Sequence, residues 1–76
     1  MWEVTRLIKR EVRRRGRETL RALDPTKYYL VEHPKYGLCE IDRIGEQTLK
    51  VTLLVIDTNR KIVIDAMFLA DCKLHD

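Results

Sequence analysis

The fold is decided by the segment LKVTLLVIDTNRKIVI, residues 49–64. Apolar residues occupy every second position from Leu49 to Val55, the period of two that is typical of a strand with one buried face. A polar run from Asp57 to Arg60 follows, and its Asn59 tolerates the positive φ of a tight hairpin turn. Because residues 61–66 are again mostly apolar and β-branched, the segment predicts an antiparallel hairpin.

Similar patterns lie before this hairpin. β-Branched and aromatic residues predict a strand over residues 27–32, the run 33–37 predicts a turn, and residues 38–44 predict a second strand. The tail, residues 67–74, allows either a short final strand or a helical turn that Asp65 caps. Leu54 and Ile56 break the alternation of their strand, which predicts that another element covers its second face.

The N-terminal segment has a different period. Residues 2–23 repeat with the 3.6-residue period of an amphipathic helix, and Asp24 before Pro25 predicts its end. Arg15 interrupts the apolar arc, and Gly16 predicts a weak point, since glycine in a helix costs about 1 kcal/mol relative to alanine. We expect the first half of the arc to cover Leu54 and Ile56. The apolar arc comprises Val4, Leu7, Ile8, Val12, Thr19, Ala22 and Leu23.

The predicted fold class is therefore α+β. A basic amphipathic helix, residues 1–24, packs on a four- to five-stranded antiparallel sheet, residues 25–76, in one compact domain. A strongly bent meander of this length closes most naturally into a small SH3-like barrel, since closure hides the sheet edges.

Charge is distributed unevenly along the chain. Residues 1–23 carry eight basic and three acidic side chains, a net charge of +5, whereas the remainder carries seven basic and nine acidic ones, a net of −2. Seven of the eight basic residues are arginines, whose guanidinium groups match phosphate oxygens bidentately. This asymmetry predicts a polyanionic partner, and nucleic acid is the leading candidate. The alternative is a solvated helix face paired internally with Glu3, Glu11 and Glu18. The predicted binding residues are Arg6, Lys9, Arg10, Arg13, Arg14, Arg17 and Arg21.

Other chemistries have weaker signals. His33, Cys39, Cys72 and His75 allow a zinc site in principle, but the first pair lacks ligand spacing and we expect no metal. Serine is absent, and no phosphate-binding loop or carboxylate pair is present, so we expect neither an enzyme nor a cofactor. A lipid surface would need the apolar stripe that covers the sheet, so we expect no membrane partner. Without a transmembrane stretch or secretory signal, we expect a cytoplasmic protein.

The turn and the strand spacing carry a family resemblance. The run His33-Pro34-Lys35-Tyr36-Gly37-Leu38-Cys39-Glu40-Ile41, with the later segments 49–53, 61–64 and 68–69, resembles the Tudor-like small barrel at the C-terminus of UvrD-type DNA helicases. Related barrels dock on RNA polymerase. The resemblance implies a protein-binding module, whose relatives also touch nucleic acid.

The function predicted from these patterns is that of a non-enzymatic module that binds nucleic acid through the arginine-rich helix face. The alternative is an adaptor or inhibitor that docks on an acidic protein surface of the transcription machinery, including RNA polymerase. Tyr36, the aromatic residue expected to be most exposed, and Lys35 would then contact the partner. A third alternative is a homo-oligomer that hides the helix stripe, since a chain this small has a limited core.

Overall fold

The computed structural model of the chain describes the backbone of residues 2–24 and 26–75, with side chains from Ile8 onward. The architecture is α+β, with one α-helix and one five-stranded antiparallel sheet. The predictions for the side chains of Trp2, Val4, Arg6 and Leu7, and for Pro25, fall outside the described residues. The elements in chain order are α1 (Trp2–Arg21), β1 (Leu30–His33), β2 (Gly37–Gly45), β3 (Lys50–Val55), β4 (Arg60–Asp65), a 3-10 helix (Ala66–Asp71) and β5 (Lys73–His75).

The strands form a meander whose last strand returns to the first. Their order in the sheet is β4-β3-β2-β1-β5, so β1 pairs with both β2 and β5. Within the described strands β4 has β3 as its only partner, and β4 and β5 remain the two ends of an open sheet. The expected hairpin of residues 49–66 is confirmed as β3 and β4, paired from Lys50 opposite Asp65 to Val55 opposite Arg60.

A bulge in β2 keeps two isoleucines on the same side of the sheet. The register with β3 shifts between Ile41 and Arg43, so that Ile41 lies opposite Leu53 and Ile44 lies opposite Val51. Opposite residues of an antiparallel pair share a face, and Leu53 and Val51 are both fully buried. The extra residue therefore directs both isoleucines to the core face, where strict alternation would have separated them.

The core lies on this one face of the sheet. Alternate residues of β3 point into it, and the 3-10 helix closes it at the end where the β2–β3 turn lies. About 25 cal/mol is gained per Å² of apolar surface removed from water, so these side chains supply most of the drive for folding. The buried residues are Val31, Cys39, Leu49, Val51, Leu53, Val55, Ala66 and Leu69.

Helix α1 docks on this end of the sheet through Gly16. A Cβ atom placed on Gly16 would lie 3.4 Å from the Cβ of Ala66 and 3.6 Å from the Cβ of Leu49, so the absence of a side chain lets the helix approach the 3-10 helix closely. Leu20, on the same side of the helix, and Leu23, just after the helix ends, pack against the core. α1 runs through Gly16 without a break. The reduced helix stability expected at this glycine stays a prediction.

The face of α1 that packs also differs from the predicted one. Ile8 is 58% exposed and Ile56 is 45% exposed, so this described member of the apolar arc does not bury Ile56 as expected. The helix packs mainly on the 3-10 helix and not on the strand that carries Leu54. The physical reason is that Gly16 permits a closer contact than the branched side chains of the arc.

Two turn residues have a positive φ, and for Asn59 this was predicted. Asn59 has φ 57° in the β3–β4 turn, and Gly37 has φ 77° at the end of the β1–β2 turn. The tail contains both of the alternatives that the sequence left open, a 3-10 helix followed by the short strand β5. Asp65 stands at the N-cap of the 3-10 helix, but its side chain makes no capping hydrogen bond and pairs with Lys50 instead.

Candidate nucleic-acid interface on the basic helix

Four arginines of α1 form a continuous exposed row, which we call the basic stripe: Arg10, Arg13, Arg17 and Arg21. Their spacing of three or four residues places them on one side of the helix. Lys9 is exposed beside the stripe. Within the part of the chain that the structure describes, none of these five side chains pairs with a carboxylate, so their charges remain available to a ligand.

Arg13 ties the stripe to the body of the protein. Its Nη2 donates a hydrogen bond of 3.2 Å to the backbone carbonyl of Gln47, in the turn between β2 and β3. A carbonyl oxygen carries no formal charge, so this contact orients the guanidinium group without neutralising it, and four N–H donors remain for other partners. No local pattern could predict the role of Gln47, because the contact spans 34 positions.

Arg14 and Arg15 behave differently from the stripe. Arg14 donates to both carboxylate oxygens of Glu11 and, at 3.0 Å, to Glu18, while Arg15 Nε donates to Glu11 at 2.9 Å. These pairs have the i,i+3 and i,i+4 spacings that bring side chains together on a helix. Arg14 therefore differs from the other predicted binding residues that the structure describes, because its charge is compensated within the helix. Its contact with a ligand stays a prediction.

The protonation equilibria agree with this division. The hydrogen bond from Arg14, and next the one from Arg15, holds the pKa of the Glu11 carboxyl below its usual range. The same hydrogen bond raises the pKa of the Arg14 guanidinium, with the charges of Glu11 and Glu18 adding to the shift. Among the side chains from Ile8 onward, internal pairing with glutamates on the helix involves Arg14 and Arg15.

The second predicted contact site lies at the other end of the sheet. Lys35 and Tyr36 belong to the β1–β2 turn, whereas α1 packs near the β2–β3 turn. Tyr36 is 40% exposed, less than Tyr28 at 63% and Phe68 at 44%, so the prediction that it is the most exposed aromatic residue is wrong. The Nζ of Lys35 lies 5.3 Å from the centroid of the Tyr36 ring. Arg60 and Lys61 line a groove together with this pair, which sequence reasoning missed because only strand pairing brings the two turns to one end of the sheet.

The four residues considered for zinc have other contacts. Nδ1 of His33 accepts hydrogen bonds from the backbone N–H groups of Lys35 and Tyr36, at 3.0 and 3.3 Å. Cys39 is buried, and burial raises the pKa of its thiol. Burial, followed by the charge of Asp71, raises the pKa of Cys72 as well. Among residues 2–24 and 26–75 no group of three or more His, Cys, Asp or Glu side chains has metal-binding geometry.

None of the described helices is long and apolar enough to span a bilayer. Comparison with protein-family models, with curated proteins and with solved structures found no match for this chain. Its function must therefore be inferred from the geometry of its own residues.

Proposed function

We propose that this chain is a non-enzymatic binding module that contacts nucleic acid through the basic stripe of α1. The observation that carries the proposal is the separation of the arginines into two groups. Those of the stripe are exposed and have no carboxylate partner in the described residues, whereas Arg14 and Arg15 are held by Glu11 and Glu18.

The stripe has dimensions that suit a phosphate backbone. At about 1.5 Å of rise per residue, Arg10 and Arg21 are about 16 Å apart along the helix. One strand of a duplex places a phosphate about every 3.4 Å along its axis, so the stripe spans about five phosphates. Four arginines over this length are enough for about one guanidinium group per phosphate, with bidentate hydrogen bonds at each contact.

The body of the protein fixes the stripe in place. Gly16 holds the middle of α1 against Ala66 and Leu49, and Arg13 is anchored by its hydrogen bond to Gln47. A stripe on a docked helix loses less conformational freedom on binding than one on a free peptide, which favours affinity. The stripe would contact backbone phosphates, and such contacts position a protein without reading sequence. The proposed binding is therefore independent of sequence.

We further propose that the sheet is an open form of an SH3-like small barrel, similar to the Tudor-like domain of UvrD-type helicases. Five short antiparallel strands in a meander support this proposal, as does the pairing of β1 with both β2 and β5, which curls the chain back on itself. The observed sheet is not closed, because β4 and β5 do not pair with each other.

The proposal is tested by the salt dependence of binding. Fluorescence anisotropy with a labelled 16-base-pair duplex, measured between 50 and 200 mM salt, should give a log–log slope of about −3.6 for four phosphate contacts. The affinity should then fall by about 150-fold across that range. A flat salt response would refute nucleic-acid binding by the stripe and would leave an acidic protein surface as the partner. A pull-down with and without nuclease then identifies which class of partner is retained.

A further inference from the structure

A groove lies at the end of the sheet away from α1. Its walls are the β1–β2 turn and the β3–β4 hairpin, which strand pairing places side by side. Its volume is about 650 Å³, which is enough for a few amino-acid side chains. Its lining includes Lys35, Tyr36, Val55, Arg60, Lys61 and Ile62.

One wall of the groove is preorganised. The Tyr36 ring lies 4.9 Å from the His33 ring at an interplanar angle of 50°, and Lys35 Nζ lies 5.3 Å from the centre of the Tyr36 ring. Nδ1 of His33 accepts hydrogen bonds from the backbone N–H groups of Lys35 and Tyr36, which fixes the turn. The Tyr36 ring is thus a supported apolar wall, with a cation already over it. It is poorly suited as an open platform on which a base stacks.

The groove is apolar at its floor and positive at its rim. Val55 and Ile62 belong to the core face of β3 and β4, and Val55 is almost fully buried. Lys61 pairs with Asp42 at 3.4 Å, whereas Lys35 and Arg60 have no carboxylate partner within the described part of the chain. Against these cations the groove holds a single acidic side chain, Asp57. A complementary ligand therefore combines an apolar group with negative charge.

We propose that this groove binds a short, extended, acidic peptide that carries an apolar side chain next to a carboxylate. The apolar side chain packs between Tyr36, Val55 and Ile62, and the carboxylate lies between Lys35 and Arg60. The terminal strand β4 borders the groove, and along its outer edge it has no strand partner among the described residues. An extended peptide can use the unpaired backbone groups of such an edge. The aliphatic floor offers no hydrogen-bond donor or acceptor to a nucleobase, which disfavours nucleic acid at this site.

This site is independent of the basic stripe and is tested separately from it. ¹⁵N-resolved NMR spectra of the whole chain are recorded during titration with a capped ten-residue peptide of alternating glutamate and leucine. The peptide should shift the amide signals of Tyr36, Val55, Arg60 and Ile62 and leave those of α1 unchanged. Shifts confined to α1 would overturn the proposal, since they would indicate attraction to the stripe only. Displacement of the peptide from Tyr36 and Ile62 by a labelled single-stranded oligonucleotide would also overturn it.

Matched variants separate the groove from general electrostatics. Tyr36→Ala and Arg60→Glu should each weaken peptide binding by about tenfold, as expected for residues that anchor an interface. Arg10→Glu makes the same charge change as Arg60→Glu but lies on α1, and it should change the affinity by less than about twofold. Equal losses from Arg60→Glu and Arg10→Glu would refute a defined groove site. Retained binding by a folded Tyr36→Ala chain would do the same.

Discussion

Two double variants of α1 test whether position or mere charge governs binding to nucleic acid. Arg10→Gln with Arg17→Gln removes half of the basic stripe. Arg14→Gln with Arg15→Gln removes the two arginines that Glu11 holds. Both doubles lower the formal charge by the same amount, and glutamine and arginine have similar helix propensities. Any difference between them therefore reports the partners that each arginine has in the structure.

The expected magnitudes follow from the number of available guanidinium groups. Removing two of four contacts should reduce the log–log salt slope from about −3.6 to about −1.8, so that the loss of affinity between 50 and 200 mM salt falls from about 150-fold to about 12-fold. The second double should keep a slope near that of the unmodified chain, because its arginines contribute few contacts while their carboxylate partners remain.

The assay is anisotropy with one labelled duplex at four salt concentrations, with circular dichroism to show that α1 is retained. Equal slopes for the two doubles would refute the reasoning, because binding would then follow charge count alone. A larger loss from Arg14→Gln with Arg15→Gln would show that the ion pairs open on binding and that the stripe has been assigned to the wrong residues.

Four further predictions concern the ion pairs, the helix contact, the core and the buried thiol. Glu11→Gln should leave Arg14, next to the basic stripe, held by Glu18 alone, and should steepen the salt slope by at most about 0.9, the value of one further phosphate contact. Gly16→Ala should change the free energy of unfolding by less than about 1 kcal/mol, because the added Cβ has room and gains helix propensity, whereas Gly16→Leu should cost about 1–3 kcal/mol through overpacking. Leu53→Ala should cost about 2–5 kcal/mol because the side chain is fully buried, and Leu38→Ala, at an exposed site, should stay within about 0.5 kcal/mol. Alkylation of Cys39 should be slower than that of a free cysteine at pH 8.5, because its raised pKa keeps the thiol protonated until the pH is higher.

Each of these outcomes has a measurement that can contradict it. Glu32→Gln on β1 is the charge-matched control for Glu11→Gln, and an equal change of slope in both would remove the ion-pair explanation. Urea unfolding gives the stability values, and a Gly16→Leu chain as stable as the unmodified one would show that α1 does not dock through that position. Mass spectrometry after timed alkylation follows Cys39, and modification at the rate of a free thiol would contradict its burial. The raised pKa of the Cys39 thiol also makes the stability of the fold depend on pH. Its contribution is present below about pH 8.5 and is lost as the pH rises further.

The strands were predictable because their signals are local. Alternation over residues 49–55 is a property of neighbouring positions, and Asn59 can adopt the left-handed conformation that its turn needs. The bulge between Ile41 and Arg43 was not predictable, because it depends on which residues of β3 lie opposite. The tail was ambiguous for a similar reason. It changes from a 3-10 helix to a strand within ten residues, too short a length for either period to establish itself.

The docking face of the helix was harder to predict than the helix itself. The hydrophobic periodicity of the helix gives the direction of its most apolar arc. A glycine has no side chain and adds nothing to that periodicity, although it permits the closest approach of the helix to its neighbour. In the sequence, Gly16 is therefore noticed only for its low helix propensity. In the fold, it is the position at which α1 contacts Ala66 and Leu49. The role of Arg14 was likewise open, since the same spacing allows it to serve a ligand or Glu11, and only side-chain geometry distinguishes the two.

The claim that the rest depends on is that the guanidinium groups of the basic stripe, and not those of Arg14 and Arg15, contact phosphates. NMR signals of the arginine Nε–Hε groups report each side chain individually during titration with a duplex. The signals of Arg10, Arg17 and Arg21 should shift and saturate together, while those of Arg14 and Arg15 stay in place. Movement of the Arg14 and Arg15 signals without those of the stripe, or no movement of any of them, would contradict the account.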